Sequence, residues 1–387
     1  MTTSLPTPSA EALQHSERVA ALLSGEIAAQ GGWLPFSRFM DLALYAPGLG
    51  YYSAGLHKFG STGDFVTAPE ISPLFGRTLA RQVAQILAVT AGDILEVGAG
   101  SGRLALDLLL ELEALGTLPR RYLILEVSAD LRQRPRLLLE ERAPQLAGRV
   151  SWLDALPASF NGVILGNEAL DAMPVELVAW RDRKVFQRGV AWENEAFAWR
   201  DRELGEGDLY RRATQLPPAR FGIDYVSEIA PAVEGFIASL AACLKKGAML
   251  FIDYGFGESE YYHPQRDAGT LMCHYRHHAH ADPLILPGLQ DITAHVDFSA
   301  VARSGAEAGL ELLGYASQAH FLLNCGLTDL LGRVSPEDAS AYLPLAAQAQ
   351  KLVSPAEMVE LFKVIALGKG LVEPLAGFVR GDKRHAL

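Results

Sequence analysis

A short apolar run followed directly by spaced glycines constrains this chain more than any other feature. Residues 93–102 read Asp-Ile-Leu-Glu-Val-Gly-Ala-Gly-Ser-Gly. The apolar side chains of residues 93–97 predict a buried parallel strand. Three glycines then let the backbone turn tightly and let a ligand approach it, namely Gly98, Gly100 and Gly102. We predict a helix over residues 103–115, whose free amino-terminal amides lie at this turn.

A strand, a glycine turn and a helix also open the dinucleotide-binding folds, so the spacing has to distinguish the two classes. A G-x-G-x-x-G fingerprint would need a third glycine where Arg103 stands. An NAD-dependent oxidoreductase is therefore the disfavoured alternative. Instead, the run E-V-G-A-G-S-G resembles the first motif of class I S-adenosylmethionine-dependent methyltransferases. The resemblance implies S-adenosyl-L-methionine as the cofactor, bound by Glu96 and by the three glycines.

The same resemblance implies an α/β fold, with a Rossmann-like, seven-stranded sheet whose last strand is antiparallel. Residues 122–128 predict the second core strand, and Glu126 closes its apolar run 24 residues beyond Gly102 (126 minus 102). This offset is close to the roughly 20 residues expected for an acid that binds ribose hydroxyls. We predict that Glu126 binds the cofactor ribose, and a solvated acid at a strand end is the alternative.

Composition fits a globular protein with a full core. The chain has 387 residues, 49% hydrophobic content and a formal net charge of −11, which argues against a general nucleic-acid binder. Its three cysteines are widely spaced, which suits a reducing compartment. No signal peptide and no run of 18 apolar residues is evident. We predict a cytoplasmic protein without membrane insertion, and its oligomeric state stays open.

A second unusual stretch precedes the glycine motif. Residues 63–76 read Gly-Asp-Phe-Val-Thr-Ala-Pro-Glu-Ile-Ser-Pro-Leu-Phe-Gly, with acids at Asp64 and Glu70. Together with the glycine motif, this run resembles the MidA family, whose eukaryotic relatives are mitochondrial assembly factors of respiratory complex I. The resemblance covers most of residues 33–368. We assign Asp64 to the cofactor and Glu70 to the substrate.

Two further strand ends extend the predicted site. Residues 150–154 predict the third strand, where similarity to the superfamily implies that Asp154 lies near the adenine. Residues 162–175 predict the fourth strand and its exit turn, and their G-N-E-x-x-D-A-M-P-V pattern is again similar to MidA proteins. Ligands of open α/β sheets lie beyond the carboxyl ends of the strands. We therefore predict three catalytic residues that face the reacting methyl, the first of them also contacting the cofactor: Asn167, Glu168 and Asp171.

Carboxylates in this exit turn favour a cationic acceptor. A guanidinium pairs with a carboxylate in bidentate fashion, which fixes its plane and aims one nitrogen at the methyl. We therefore favour arginine methylation of a protein, and the MidA resemblance implies the same, with a complex I subunit as the substrate. Glu168 as a helix N-cap and Asp171 as a surface acid are the alternatives. A non-enzymatic assembly chaperone that keeps the fold is the alternative for the whole chain.

The remaining segments surround this core. We predict a helical cap or lid over residues 1–90. The methyltransferase core comprises residues 91–174, 225–255 and 297–387. An inserted β-rich meander covers residues 175–224, and a polar loop on the acceptor side covers residues 256–296. Within the meander, residues 201–224 are expected to be irregular. Further core strands are predicted at residues 247–255, 312–320 and 362–368, and similarity to the superfamily pairs the last antiparallel to the fifth.

The acceptor-side loop is rich in histidine. Seven of the ten histidines lie between residues 263 and 320. Four of them could suggest a metal site, but no set of cysteine or carboxylate partners at helical or hairpin spacing is evident. We predict no metal. We expect instead that the loop lines the acceptor channel, with His274 and Tyr275 binding the substrate.

Overall fold

The computed structural model describes residues 5–54, 67–126, 129–354 and 361–387. The predicted cofactor residue Asp64 lies outside these residues. The described chain divides into two compact units. The first comprises the described residues of Met1–Phe65 with Asp171–Glu234 and Gly257–Asp297, and the second those of Val66–Leu170 with Gly235–Phe256 and Phe298–Leu387.

The strands are numbered here in chain order. They are β1 (Leu34–Pro35), β2 (Asp93–Val97), β3 (Tyr122–Leu125), β4 (Val150–Leu153), β5 (Phe160–Asn167), β6 (Glu176–Arg181), β7 (Lys184–Glu193), β8 (Ala196–Glu203), β9 (Tyr225–Ile229), β10 (Leu244–Phe256), β11 (Met272–Tyr275), β12 (His278–His280), β13 (Asp291–Thr293), β14 (Val296–Asp297), β15 (Glu311–Ser317) and β16 (Phe362–Lys369).

The α-helices are numbered in the same way. They are α1 (Ala10–Ala29), α2 (Phe36–Tyr45), α3 (Ala68–Ile71), α4 (Pro73–Thr90), α5 (Arg103–Ala114), α6 (Ala129–Arg142), α7 (Pro144–Ala147), α8 (Asp208–Gln215), α9 (Pro231–Cys243), α10 (Glu258–Tyr261), α11 (Phe298–Glu307), α12 (Gln318–Asn324), α13 (Leu327–Leu331) and α14 (Ala339–Val353).

The second unit is built on a seven-stranded sheet in the order β15-β16-β10-β5-β2-β3-β4. Its five strands from β10 to β4 are parallel, and β16 runs antiparallel to both β10 and β15. The four inner parallel strands, β10, β5, β2 and β3, are almost continuously buried, as expected of a sheet covered on both faces. The predicted class I methyltransferase fold, with an antiparallel last strand beside the fifth core strand, is confirmed.

The first unit contains two antiparallel sheets. One has the order β1-β7-β6-β9 with β8 paired to β7, and the other has the order β12-β11-β13. The predicted meander is confirmed as β6, β7 and β8. Residues of α1 and α2 pack with both sheets in one apolar cluster, which includes Phe39, Val190 and Ile292.

The segment after the meander differs from the prediction. Residues 201–224 were expected to be irregular, yet they contain the last residues of β8 and all of α8. Helix α8 forms because Ala213 is buried on one face, while Arg212 pairs with Asp208 one turn earlier and with Glu234. Residues 225–229 were expected in the methyltransferase core, but as β9 they pair with β6 in the first unit. Nothing in the five residues Tyr225–Ile229 names the strand with which they pair.

The histidine-rich segment 256–296 is also more ordered than the predicted loop. It contains a hairpin of β11 and β12, whose turn places Arg276 and His277 at positive φ angles of 46° and 62°. Cys273 and Tyr275 point inward from alternate positions and are 0% and 3% exposed. Their period of two buries one face of the hairpin, and this accounts for the strand.

The sixth core strand ends earlier than predicted, because a helix cap begins at its last residue. The sixth strand was expected to continue to residue 320, but β15 ends at Ser317. The Ser317 side chain accepts a hydrogen bond from the backbone N–H of His320 and thereby begins α12.

Candidate active site

The glycine turn after β2 has the backbone shape that the sequence predicted. All three of its glycines lie in the left-handed region, at φ angles of 69° for Gly98, 54° for Gly100 and 83° for Gly102. A Cβ added at Gly98 would have only the Cβ of Ala169 near it, 4.0 Å away. A Cβ at Gly102 would stand 2.6 Å from the Cα of Pro135. The first glycine therefore leaves open space, whereas the last one allows close packing against α6.

Glu70 lies beside this turn. It belongs to α3, and its Oε1 accepts a hydrogen bond from the hydroxyl of Ser101. Its Oε2 stands 3.9 Å from Nε of Arg103, and its side chain is 15% exposed. The residue that we assigned to the substrate thus contacts the glycine turn that we assigned to the cofactor.

Glu96 is buried inside the sheet. Its Oε2 accepts a hydrogen bond of 2.8 Å from the hydroxyl of Tyr122 on β3. Burial raises the pKa of Glu96 to about 7. Because the residue is only 2% exposed, it supports the strand from which the glycine turn leaves rather than presenting an open carboxylate.

An arginine joins the ends of the second and third core strands. Nε of Arg132 donates to the backbone oxygen of Glu126 at 2.8 Å, and its Nη1 donates to Oδ1 of Asp154 at 2.6 Å. Glu126 is 6% exposed, whereas the side chain of Asp154 is 90% exposed. Sequence reasoning missed Arg132. The available signal was an arginine six residues after a strand-end acid.

A cavity of about 570 Å³ lies next to this link. Its lining includes Leu137 and the indole of Trp152, together with Arg132. The Trp152 Nε1 is buried and has no hydrogen-bond partner among the described residues. Leu137 and Trp152 supply apolar surface that suits a purine base, beside the charged and polar side chains of Arg132, Gln133, Arg136 and Glu140. Glu126, at the end of β3, suits a ribose.

The turn after β5 carries the predicted catalytic pair. Glu168 adopts a left-handed backbone conformation with a φ of 49°, which is uncommon outside glycine. Nδ2 of Asn167 donates to Oε1 of Glu168 at 3.2 Å. The Asn167 Oδ1 is buried and has no hydrogen-bond partner within the described part of the chain. Strands β2 and β5 pair in parallel, so this turn and the glycine turn leave neighbouring strands at the same edge of the sheet.

Three other predicted site residues belong to the first unit. Asp171 is 6% exposed, and its backbone oxygen accepts from the N–H of Ala294 at 3.0 Å. His274 lies half-buried on β11, and its neighbour Tyr275 is 3% exposed.

No three His, Cys, Asp or Glu side chains within the described ranges are grouped so that they could hold a metal ion. None of the helices described is both long and apolar enough to cross a membrane.

The second unit therefore has the parts that S-adenosyl-L-methionine requires. They are an open left-handed glycine turn, an acid at the end of the neighbouring strand and a cavity whose lining includes Leu137 and Trp152. With the strand order of the sheet, they define a class I S-adenosyl-L-methionine-dependent methyltransferase. Residues 78–316 match the family described as "Putative S-adenosyl-L-methionine-dependent methyltransferase". The chain belongs to this family.

Individual relatives agree with that assignment. A protein from Burkholderia thailandensis, whose crystal structure contains S-adenosyl-homocysteine, is 52% identical, with a TM-score of 0.95 over 99% of this chain and 100% of that one. The Mus musculus protein named "Protein arginine methyltransferase NDUFAF7, mitochondrial" is 30% identical over 87% of this chain and 81% of its own length. Its Homo sapiens counterpart is 29% identical over 87% and 80%. S-Adenosyl-L-methionine is thus the cofactor of this chain, and methyl transfer is its reaction.

Proposed function

We propose that this methyltransferase transfers the methyl to an arginine side chain of a protein. The observation that carries the proposal is the Glu168 carboxylate, which follows β5 at the edge of the sheet from which the glycine turn also leaves. The names of the NDUFAF7 relatives support the same acceptor. A guanidinium and a carboxylate form a planar, bidentate pair, and this would present one nitrogen of the arginine to the methyl.

The proposed chemistry asks little of the protein beyond alignment. S-Adenosyl-L-methionine supplies, when bound, a methyl on a sulfonium whose departure leaves a neutral thioether. A guanidinium keeps its proton below a pH of about 12, so it is a weak nucleophile. Glu168 would hold the positive charge on the nitrogens that do not react, and Asn167 would hold the Glu168 carboxylate in place. Such alignment supplies several kcal/mol of the barrier reduction. As the N–C bond forms and the S–C bond breaks, the reacting nitrogen would release its proton late, to a nearby carboxylate or histidine.

The remaining assignments belong to the same proposal. Gly98, Gly100, Glu126 and Asp154 would contact the cofactor, with Glu96 and Gly102 supporting the strand and the turn. Asp171 would take part in catalysis, and Glu70, His274 and Tyr275 would bind the protein substrate. We further propose a subunit of respiratory complex I as that substrate and the cytoplasm as the location. The resemblance to the MidA family supports the substrate, and the three widely spaced cysteines, which suit a reducing compartment, support the location.

A methylation assay with a matched control tests the acceptor. Purified protein and tritiated S-adenosyl-L-methionine are added to an extract of cells that lack this protein, and the labelled amino acid is identified after hydrolysis. We expect labelled methylarginine and a rate about a hundredfold lower for Glu168→Gln, while the affinity for S-adenosyl-homocysteine stays within about threefold. Glu311→Gln, an exposed acid on β15, should keep the wild-type rate.

Either of two results would contradict the proposal. Label on lysine, histidine or a carboxyl group would exclude arginine as the acceptor. An unchanged rate in Glu168→Gln would remove Glu168 from the reaction. If the wild-type protein labels no protein in the extract, the chaperone alternative gains instead.

A further inference from the structure

The backbone of Glu168 is held by a carboxylate from the neighbouring strand. Asp253, near the end of β10, is 0% exposed. Its Oδ2 accepts hydrogen bonds from the backbone N–H groups of Ala169 at 3.2 Å and Leu170 at 3.0 Å. Its Oδ1 accepts from the N–H of Tyr254 at 2.9 Å. One buried side chain thus binds the two residues that follow Glu168.

A backbone hydrogen bond between the same two strands adds to the bonds from Asp253. The N–H of Glu168 itself donates to the backbone oxygen of Ile252 at 2.8 Å. Three consecutive amides, from Glu168 to Leu170, are therefore bonded to residues 252 and 253 of β10. Buried hydrogen bonds to an ionised carboxylate are stronger than those between neutral groups.

These hydrogen bonds from β10 hold the backbone of Glu168 in a conformation that it would not otherwise keep. The left-handed conformation of Glu168, with a φ of 49°, is disfavoured for a residue with a side chain. Such a conformation persists only when its surroundings fix it. Here the surroundings are the bonds from β10, which direct the turn away from the strand and set where the Glu168 side chain begins.

We propose that Asp253 is a positioning residue for methyl transfer, which acts by fixing the turn that carries Glu168. The inference rests on the role proposed above for Glu168. Asp253 does not need to touch the cofactor or the acceptor. Without its Oδ2 bonds, Glu168 would keep its carboxylate but lose its fixed position, and a displacement of about 1 Å can lower a rate a hundredfold.

A double-mutant cycle separates positioning from simple structural support. Asp253→Asn keeps the shape of the side chain but removes the negative charge and one of the two acceptor atoms. We expect the rate of methyl transfer to fall about tenfold or more, while the affinity for S-adenosyl-homocysteine stays within about threefold. In the Glu168→Gln background, the same substitution should change the rate by less than about twofold, because the group that it positions is already altered.

Amide hydrogen exchange tests whether Asp253 fixes the turn after β5, independently of any activity assay. In Asp253→Asn, peptides that cover residues 166–172 should exchange faster, while the rest of the sheet keeps its protection. If Asp253→Ala folds, it should show the larger effect. Asp93→Asn is the matched control, because Asp93 is a buried acid at the opposite end of the same sheet and accepts from Arg121 at 2.7 Å. That control should not change exchange at residues 166–172, and its effect on the rate should be the same in both backgrounds.

Each outcome supports or overturns the inference. Unchanged exchange at residues 166–172 in Asp253→Asn would overturn it. Rate losses that multiply independently in the double variant would also overturn it, since Asp253 would then be a structural residue only. A fully active Glu168→Gln single variant would instead contradict the proposed function, and this inference would fall with it. A methylated residue other than arginine would contradict the proposed acceptor but leave the cycle intact, because the cycle measures total methyl transfer.

Discussion

The hydroxyl of Tyr122 donates a hydrogen bond of 2.8 Å to Oε2 of Glu96, across two neighbouring strands of the core sheet. Both residues are buried, with exposed fractions of 0% and 2%. Burial raises the pKa of Glu96 from 4.5 to about 7, the Tyr122 bond lowers it in part, and the nearby Glu126 carboxylate raises it. The folded protein therefore binds a proton at Glu96 in a pH range where the unfolded chain has released it.

This pair predicts how stability depends on pH. The stabilising contribution of Glu96 is fully present below pH 4.5 and is lost as the pH rises to about 7, because the folded state must then bury a charge. The full difference is about 3 kcal/mol in the free energy of unfolding. Urea unfolding should show that Glu96→Gln gains about this much relative to the wild type between pH 4.5 and pH 8.

Differences between variants are required because other acids titrate in this range. Burial raises the pKa of Asp107 to about 6, which lowers stability in the same direction. Tyr122→Phe is the companion variant. It removes the bond that lowers the pKa of Glu96, so the loss of stability should extend to higher pH. Parallel stability curves for the wild type and Glu96→Gln would contradict the prediction.

The glycine turn predicts a separation of binding from folding. Gly98→Ala places a methyl in open space, so it should cost about 1 kcal/mol of stability for the left-handed backbone and lower the affinity for S-adenosyl-homocysteine at least tenfold. Gly102→Ala adds a clash with Pro135 and should cost about 3 kcal/mol or more. Urea unfolding and titration calorimetry measure the two effects.

Gly116→Ala is the matched control for the glycine turn. Gly116 lies just after α5 with a φ of 67°, and nothing stands within 4 Å of its added Cβ. This variant should lose about 1 kcal/mol of stability and bind S-adenosyl-homocysteine as the wild type does. Unchanged binding in Gly98→Ala would move the cofactor away from the first glycine.

The two strand-end acids should differ in importance. Glu126 is 6% exposed at the end of β3, whereas Asp154 extends a side chain that is 90% exposed and is paired with Arg132. Glu126→Gln should weaken S-adenosyl-homocysteine binding about tenfold, and Asp154→Asn less than threefold, because an exposed acid already competes with water. Adenosine, used as a competitor, should lose affinity in the same ratio. Equal effects of the two variants would remove the ribose role of Glu126.

The sequence predicted those parts of the molecule that depend on local pattern and on resemblance. The apolar run before Gly98 predicted β2, and the predicted left-handed turn follows it. Similarity to the superfamily also predicted the antiparallel pairing of β16 with β10. Both features are carried by short, uninterrupted segments. A single sequence is sufficient to recognise them.

Side-chain contacts between distant segments, which the resemblance did not supply, were not predicted. The bond from Leu170 to Asp253 joins residues 83 apart, and nothing in the exit-turn pattern names its acceptor. For the same reason, the contact between Glu70 and Ser101 of the glycine turn was not predicted. Residues 225–229 were expected in the methyltransferase core, whereas as β9 they pair with β6, and nothing in these five residues names that neighbour. In each case, the partner is chosen by packing and not by local sequence.

The backbone of Glu168 predicts a conflict between stability and activity at one position. Its φ of 49° lies in the left-handed region, which glycine adopts readily and other residues adopt with strain. Glu168→Gly and Glu168→Ala both remove the carboxylate, so both should lose about a hundredfold in the rate of methyl transfer. Yet the glycine variant should be more stable than the alanine variant by about 1 kcal/mol.

Glu195 supplies the control for this comparison. It has a φ of 62° in the exposed turn between β7 and β8. Glu195→Gly should likewise exceed Glu195→Ala in stability by about 1 kcal/mol, with both variants keeping the wild-type affinity for S-adenosyl-homocysteine. Urea unfolding of the four proteins measures both differences. If Glu168→Ala proves as stable as Glu168→Gly while the Glu195 pair differs, the turn after β5 is not strained. The bonds from β10 would then hold Glu168 in the left-handed conformation without any conformational strain to overcome.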